Sequence, residues 1–321
     1  MQKLFIISNE SISVEKNKFF EINLIARKSI KKRSHHIKIK NINTFSSIIS
    51  FVYSIYLSTK FNNAKYLLIS ISPYTFLASI FLKIFGKSPI VYLRSDGFEE
   101  YNSIIGPIGK LIYFFMFHLT TSYSSLISCS KKILRNKKGF IVKPSQLDRD
   151  WFKNLKKVKL DKYNILYVGR LRKEKGIFSF LKMIKNKKDI LLTIVGADKK
   201  INNYFNQKNI SIKKIEKNKN SLIKYYDNHN IFILPSFTEG YPMVVLEALA
   251  RVRPVVIFDE IEHIKGNRNG IYVSKRNFSS FMKTIKFIKK NYFKIQKKIK
   301  RNKLPKNNDF IENLKINIEK Y

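Results

Sequence analysis

The sequence predicts an α/β protein with two Rossmann-like domains, each a doubly wound parallel sheet, that face each other across a cleft. Short runs of Ile, Val, Leu and Phe alternate with stretches of helical length along the chain. The runs are apolar throughout, which is typical of parallel strands that helices cover on both faces. The chain has 321 residues, enough for two domains of roughly 150 residues. Open parallel sheets bind ligands at the carboxyl ends of their strands, so a ligand is expected between the domains.

The predicted elements follow the apolar runs in chain order. Strands are expected at 3–8, 66–72, 89–95, 125–130 and 139–145, and then at 163–170, 189–196, 231–236 and 254–259. Residues 45–61 and 74–86 have helical length, and 111–130 is predicted as a buried helix followed by a strand rather than as a membrane span. The Lys-rich tail from 278 predicts one or two terminal helices.

The domain boundary is predicted where the apolar pattern stops. Polar and charged residues cluster around Pro144 in the stretch 142–163. We therefore assign residues 1–145 to the first domain and residues 146–321 to the second.

The composition limits the classes of protein to which this chain can belong. With 44% hydrophobic and 14% aromatic residues, it is globular rather than disordered. The single Cys129 excludes a disulfide framework and favours a reducing, cytoplasmic compartment. The five histidines show no metal-ligand spacing, so neither a metal site nor a cofactor is predicted.

The charge is extreme, with 63 Lys and Arg against 22 Asp and Glu and a formal net charge of +41. Such a balance favours nucleic-acid or anionic-membrane partners. Compositional bias is the alternative, because the basic residues are spread along the whole chain and accompany abundant Phe and Tyr. Since no basic patch with base-stacking aromatics or known nucleic-acid module is evident, nucleic acid is the less favoured partner.

A first candidate site is the stretch YVGRLRKEKGIFSFL (167–181). A strand is predicted to end at Gly169, Arg170 leaves its carboxyl end, and Lys175 and Gly176 precede a helix. Glycines let the backbone approach a ligand, and a helix N-terminus adds partial positive charge. Arg supplies a planar fork and Lys a point charge, which together suit a diphosphate. A solvated basic turn is the alternative interpretation.

A second candidate site is PSFTEGYPMVVLEALA (235–250), which links a predicted strand to a predicted helix. Gly240 and Pro242 prevent the helix from extending back to Glu239, and Pro242 is predicted as the first helical residue. The free N–H groups of the first helical turn would then face a ligand. Glu239 lies just before this helix and Glu247 a little over one turn inside it, and carboxylates accept hydrogen bonds from sugar hydroxyls. A loop Glu and a helix Glu with no shared role are the alternative.

These stretches resemble the motifs of glycosyltransferase family 4, a large family of retaining GT-B transferases that includes many bacterial glycan and lipopolysaccharide transferases. The stretch 235–250 resembles the family's E-x7-E motif, and VGRLRKEKG (168–176) resembles its V-G-R-x-x-x-x-K-G turn. Further similar segments are SLISCSKKI (125–133), VKPSQLDRDWF (142–152) and RPVVIFDEIEHIKGNRNGIYV (253–273). The resemblance is specific over 163–275 and architectural over 1–140.

The resemblance implies the GT-B fold, with an acceptor-binding first domain and a donor-binding second domain. It implies that Arg170 and Lys175 hold the donor diphosphate and stabilise the leaving group, with Gly169 at the turn. Glu239 would orient the transferred sugar, and Glu247 would bind the ribose hydroxyls. The backbone at the helix mouth would cap the phosphates, and it comprises Gly240, Tyr241, Pro242, Met243 and Val244. The implied reaction retains the anomeric configuration, needs no metal and uses a UDP- or GDP-sugar as substrate.

The sequence also departs from the family pattern. The loop SNESISVEKN (8–17) has no glycine, and DEIEHIKGN (259–267) lacks the usual Gly-Gly and Pro-Glu. Many members place a histidine near the acceptor, where VYLRSDGFEE (91–100) offers Asp96. Asp96 is a candidate for orienting the acceptor hydroxyl, with a capping or turn role as the alternative.

The sequence thus predicts a cytoplasmic retaining hexosyltransferase that acts on a glycan or lipid-linked acceptor in cell-surface polysaccharide or lipopolysaccharide synthesis. Two other classes remain, namely a nucleic-acid-binding protein and a GT-B protein that binds sugar nucleotide without turnover. KLIYFFMF (110–117) and KSIKKRSHHIKIK (28–40) are candidates for peripheral docking on an anionic inner membrane. For the aromatic stretch, packing in the core is the alternative.

Overall fold

The computed structural model describes residues 2–8, 20–26, 45–197 and 208–321. The chain divides into two compact units, Met1–Lys143 with Ile311–Tyr321, and Pro144–Phe310. Residues 311–321 were predicted to belong to the second domain, but they group with the first unit. The physical reason is that Lys65 Nζ donates to the carbonyl of Ile318 (2.8 Å) and Tyr321 Oη donates to the carbonyl of Leu126 (3.3 Å).

The first unit alternates strands and helices. Its elements are β1 (Gln2–Ser8), β2 (Phe20–Ala26), α1 (Phe45–Thr59), β3 (Ala64–Ile69), α2 (Pro73–Ile84), β4 (Ile90–Leu93), α3 (Gly97–Ile105), α4 (Pro107–Tyr123), β5 (Ser125–Ser128), α5 (Lys131–Leu134) and β6 (Phe140–Ile141). The strands form a parallel sheet in the order β2-β1-β3-β4-β5-β6.

The second unit repeats this alternation. Its elements are β7 (Tyr163–Val168), α6 (Ile177–Met183), β8 (Ile190–Ala197), β9 (Ile210–Lys214), α7 (Lys219–Asn228), β10 (Ile231–Leu234), α8 (Met243–Ala250), β11 (Val255–Phe258), β12 (Ile271–Ser274), α9 (Phe278–Lys290), α10 (Tyr292–Ile299) and α11 (Asn307–Glu319), the last of which continues into the first unit. The strands form a parallel sheet in the order β12-β11-β10-β7-β8-β9.

The predicted strands are all present, but three further strands, β2, β9 and β12, were not predicted. All three lie at a sheet edge, and β2 and β9 mix polar with apolar residues, as FEINLIA and ISIKK. An edge strand has one unpaired side, so it lacks the continuous apolar run that marks β10 and β11, whose residues are all buried. The tail holds the three helices α9, α10 and α11, where one or two were predicted.

Helix α4 was predicted to be buried, and this prediction is wrong for its outer face. Tyr113, Met116 and Phe117 are buried against the first unit, whereas Phe114 and Phe115 are exposed. Within the described residues, no helix combines the length and apolar character that a bilayer crossing requires.

Two buried arginines at the end of α8 anchor the start of the second unit. Arg251 and Arg253 are each 1% exposed. Arg251 forms a bidentate ion pair with Asp227 (2.9 and 2.8 Å) and donates to the carbonyls of Trp151 (3.1 Å) and Lys153 (2.7 Å). A buried charge is costly unless it is paired and hydrogen-bonded. The arrangement therefore fixes residues 151–153 against one end of α8, while the other end belongs to the candidate site.

Candidate active site

The second sheet brings the two candidate motifs together. Its strand order reverses between β7 and β10, which are neighbours in the sheet although β8 and β9 separate them in the chain. In open parallel sheets, ligands bind outside the carboxyl ends of the strands at such a reversal. The loop after β7 carries Arg170 and Lys175, and the loop after β10 carries Glu239. The topology therefore places the loop after β7, here called the basic turn (169–176), beside the loop after β10, here called the acidic loop (235–242).

The basic turn approaches the acidic loop closely enough to require glycine. Gly176 has a φ of +63°, and a Cβ atom there would lie 1.8 Å from the carbonyl oxygen of Pro235. The backbone N–H of Phe237 donates to the carbonyl of Glu174 (2.9 Å) and joins the two loops. Helix α6 begins directly after Gly176, as predicted. This close approach fixes the position of Lys175 beside β10.

Lys175 and Glu239, which are 64 positions apart in the chain, form an ion pair. The Nζ of Lys175 donates to Oε1 of Glu239 (2.8 Å), and Ser236 Oγ donates to the same oxygen (2.7 Å). The two side chains are 23% and 10% exposed. Among the described residues, none donates a hydrogen bond to Oε2 of Glu239, so this oxygen is available to a hydroxyl donor.

Gly169 and Arg170 occupy the carboxyl end of β7. The N–H of Gly169 donates to the carbonyl of Val195 (2.9 Å) and so continues the pairing of β7 with β8. Arg170 is exposed, and its carbonyl accepts a hydrogen bond from Tyr167 Oη (2.9 Å). The backbone of Arg170 is thus held at the carboxyl end of β7.

Two residues that the sequence analysis did not single out also hold the acidic loop. The Nε2 of His263 lies 2.9 Å from the carbonyl oxygen of Glu239. Arg276 donates from Nη2 to the carbonyl of Ser236 (3.2 Å) and from the same atom to Glu260 (3.1 Å). His263 and Glu260 belong to DEIEHIKGN, so the segment that departs from the family pattern supports the loop that carries Glu239.

Helix α8 begins at Met243, one residue later than predicted, and Pro242 is its N-cap. Within the described residues, no side chain caps this N-terminus, so its first N–H groups are available to a ligand. The hydroxyl of Tyr241 accepts a hydrogen bond from Arg268 Nη2 (3.1 Å). The remaining residues of the mouth are buried or half-buried, namely Gly240, Met243 and Val244.

Glu247 lies deeper in the structure than the sequence suggested. It is 1% exposed, Tyr226 Oη donates to its Oε2 (2.7 Å), and the amide of Gln146 donates to its Oε1. Burial raises the pKa of Glu247 from 4.5 to about 7, although both hydrogen bonds act in the opposite direction. Gln146 is itself exposed, so its amide lies between Glu247 and the surface. Contact between Glu247 and a ribose would require this amide to move.

This raised pKa predicts that Glu247 makes the stability of the protein depend on pH. Between pH 4.5 and about 7 the unfolded chain loses the Glu247 proton while the folded protein keeps it. Stability therefore falls as pH rises through this window, by up to about 1.4 kcal/mol per pH unit. Glu247→Gln should remove this fall, as measured by urea unfolding at several pH values. Glu262→Gln, at an exposed position, is the control, and parallel curves for wild type and Glu247→Gln would contradict the assignment.

Asp96, in the first unit, caps a helix. Its Oδ1 accepts a hydrogen bond from the N–H of Phe98 (3.2 Å) at the start of α3, and Arg135 Nη2 lies 3.3 Å from the same oxygen. The side chain is 5% exposed. Of the two roles considered for Asp96, the geometry supports capping, and we do not assign it to the acceptor.

Other predicted features can be placed only in part. Residues 9–17 of the glycine-free loop and the basic stretch 28–40 lie outside the described residues. In the part of the chain that the structure describes, no group of three or more His, Cys, Asp or Glu side chains could hold a metal ion. Metal independence remains a prediction.

The family model described as glycosyl transferases group 1 matches residues 148–307, which include both candidate motifs.

Individual relatives extend this result. The chain is 32% identical over 149 residues to an uncharacterized glycosyltransferase of Haemophilus influenzae. The matched region covers 42% of this chain and 42% of the relative. It is 28% identical over 138 residues to the capsular polysaccharide biosynthesis glycosyltransferase CapM of Staphylococcus aureus, covering 39% of this chain and 36% of CapM. The chain thus spans less than half the length of these two relatives.

Among solved structures, HepE of Anabaena, solved in complex with UDP and glucose, has a similar fold. Its TM-score is 0.72 at 11% sequence identity, with 100% of both chains covered. At this identity the likeness concerns the fold alone.

Proposed function

Because this chain belongs, through residues 148–307, to the glycosyl transferases group 1 family, we propose that it transfers a hexose from a UDP- or GDP-sugar to a glycan or lipid-linked acceptor. Its two parallel α/β units are those of the GT-B fold. The observation that carries the proposal is the contact between Lys175 and Glu239 at the reversal of the second sheet. Lys175 is a cation that can bind a diphosphate, and Glu239 is a carboxylate that can bind a sugar hydroxyl. Their contact places the two groups side by side.

The donor diphosphate is proposed to lie over the basic turn. Lys175 and Arg170 contact its oxygens, and the free N–H groups at the start of α8 cap it from the other side. As the bond between the anomeric carbon and the diphosphate oxygen breaks, negative charge grows on the leaving group. Cations already in place stabilise this charge without reorganisation.

Glu239 is proposed to hold the transferred sugar. Its Oε1 is occupied by Lys175 and Ser236, so Oε2 accepts from a sugar hydroxyl. This contact directs the anomeric carbon towards the acceptor. The acceptor hydroxyl attacks the anomeric carbon from the face that the diphosphate leaves and passes its proton to the departing diphosphate oxygen, so the configuration is retained. Lys175 and Arg170 supply the positive charge that the leaving group needs, so the proposed reaction uses no metal.

The acceptor is proposed to bind the first unit, and the second unit is proposed to bind the donor. The similarity to CapM supports a role in cell-surface polysaccharide synthesis, since that protein acts in capsular polysaccharide biosynthesis. We place the reaction in the cytoplasm, with peripheral association at an anionic membrane.

The proposal is tested by measuring donor binding and turnover with a panel of UDP- and GDP-hexoses in the presence of EDTA. We expect one donor class to bind, turnover to survive EDTA, and NMR to show the donor's anomeric configuration in the product. Donor binding without product from any acceptor would support a protein that binds sugar nucleotide without turnover. Failure of every donor, together with tight salt-sensitive binding of DNA or RNA, would overturn the transferase proposal.

A further inference from the structure

Helix α4 presents an apolar stripe to the outside of the first unit. The α4 stripe consists of Ile108, Leu111, Ile112, Phe115 and Leu119, spaced so that they follow one face of the helix. Each is exposed, Ile108 to 68% and Phe115 to 57%. A folded domain normally buries such a face, and large exposed apolar patches mark sites of contact with other proteins or with membranes.

A groove of apolar side chains lies on the same helical layer. Helix α2 packs against both α1 and α4. The groove between α1 and α2 has a volume of about 410 Å³, and its lining includes Ile49, Tyr53, Tyr56 and Phe85. Tyr53 is 58% exposed and Ile49 57%. Exposed apolar side chains are therefore present at two places of this helical layer, the α4 stripe and the groove between α1 and α2.

The charges of this layer have one sign. The sequences of α1, α2 and α4 contain no Asp or Glu. Lys83 and Lys110 are exposed on α2 and α4, and Lys60 is exposed just after α1. The Nζ of Lys60 lies 5.1 Å from the centre of the Tyr56 ring. Apolar and aromatic side chains with cations at their margin match the boundary between acyl chains and anionic headgroups.

We propose that the α1–α2–α4 layer docks on an anionic lipid bilayer, with the α4 stripe inserted at the acyl boundary. A second copy of the chain is the less suitable occupant, because each copy has a net charge of +41 and the two would repel. A nucleic acid is unsuitable too, because the stripe offers five apolar side chains and no cation of its own to the phosphates. The proposal does not depend on the reaction, since vesicle binding needs neither donor nor acceptor.

The proposal is tested by sedimentation with vesicles of phosphatidylcholine alone and of phosphatidylcholine containing a quarter phosphatidylglycerol. We expect the wild-type protein to sediment with the anionic vesicles, and Leu111→Glu with Phe115→Glu to weaken partitioning about 100-fold. The matched control is Phe287→Glu with Phe293→Glu, which adds the same charge at exposed positions of the second unit and should bind as wild type does.

A fluorescent variant gives a second measurement that leaves the charge unchanged. In Phe115→Trp, the fluorescence emission of the new indole should shift to shorter wavelength when anionic vesicles are added. The emission of Trp151, which is buried, should stay constant. Three outcomes would each overturn the proposal. The wild-type protein could stay in the supernatant, the two double Glu variants could sediment equally, or the indole emission could fail to shift. If light scattering instead shows a wild-type dimer that the Leu111 and Phe115 substitutions dissociate, the layer binds a second copy.

Discussion

Glu239→Gln is expected to lower kcat for sugar transfer by about 10²–10³-fold, the loss typical of removing one group that stabilises a transition state. The substitution keeps the shape of the side chain but removes the negative charge that Lys175 faces at 2.8 Å. It also gives the site one oxygen where there were two. If that oxygen stays with Lys175 and Ser236, an NH₂ group replaces Oε2 and can no longer accept a hydrogen bond from a sugar hydroxyl.

The kinetic pattern distinguishes a catalytic role from a structural one. If Glu239 orients the sugar in the transition state, kcat should fall more than the donor KM rises. The matched control is Glu262→Gln, which makes the same chemical change at an exposed position near the loop and should leave kcat unchanged. Unaltered kcat in Glu239→Gln, with normal folding by circular dichroism, would remove Glu239 from the mechanism.

The proximity of Lys175 and Glu239 could be predicted from the sequence because it follows from topology. Both residues lie just after a continuous apolar strand, and both strands precede a helix. In a doubly wound parallel sheet, the carboxyl ends of the strands share one edge, and the strand order reverses between the first and fourth strands. The need for glycine at position 176 could also be anticipated from the turn. Only the structure showed that a Cβ atom there would clash with the carbonyl of Pro235.

The features that were not predicted depend on tertiary contacts. The burial of Glu247 follows from Tyr226 and Gln146, which lie 21 and 101 positions away in the chain. The spacing of a motif gives the position of a residue on its helix but does not show what covers it. His263 and Arg276 were missed for the same reason, because each contacts the acidic loop from another strand end.

For helix α4 the sequence did not predict exposure, whereas for Glu247 it did not predict burial. An apolar run of this kind is assigned to the core because most such runs are buried. For residues 110–117 the sequence left two interpretations open, core packing and docking on a membrane. The structure confirms core packing for one face of the helix and leaves the other face exposed. Tyr113 and Phe117 pack inward, while Leu111 and Phe115 point outward.

Arg170→Ala is expected to lower kcat/KM for the donor by about 10²-fold, because it removes a charged fork from the diphosphate. Hydrogen bonds to charged groups contribute about 1.5–3 kcal/mol each, or about 10–150-fold in Kd. The effect should therefore appear in product binding as well as in turnover. Calorimetry with nucleoside diphosphate and monophosphate separates the contact with the terminal phosphate from contacts with the base and ribose.

Comparison with Arg172→Ala makes this prediction specific to one side chain. Arg172 is exposed in the same turn, two residues beyond Arg170, and it carries the same charge. If Arg170 contacts the diphosphate directly, Arg170→Ala should reduce the ratio by which nucleoside diphosphate binds more tightly than nucleoside monophosphate. Arg172→Ala should leave this ratio of affinities unchanged. Equal losses in both variants that disappear at high salt would assign the effect to the general positive charge of the turn, because exposed charges are screened within about 10 Å at 0.1 M salt. Lys175 and the N-terminus of α8 would then be the remaining candidates for holding the diphosphate.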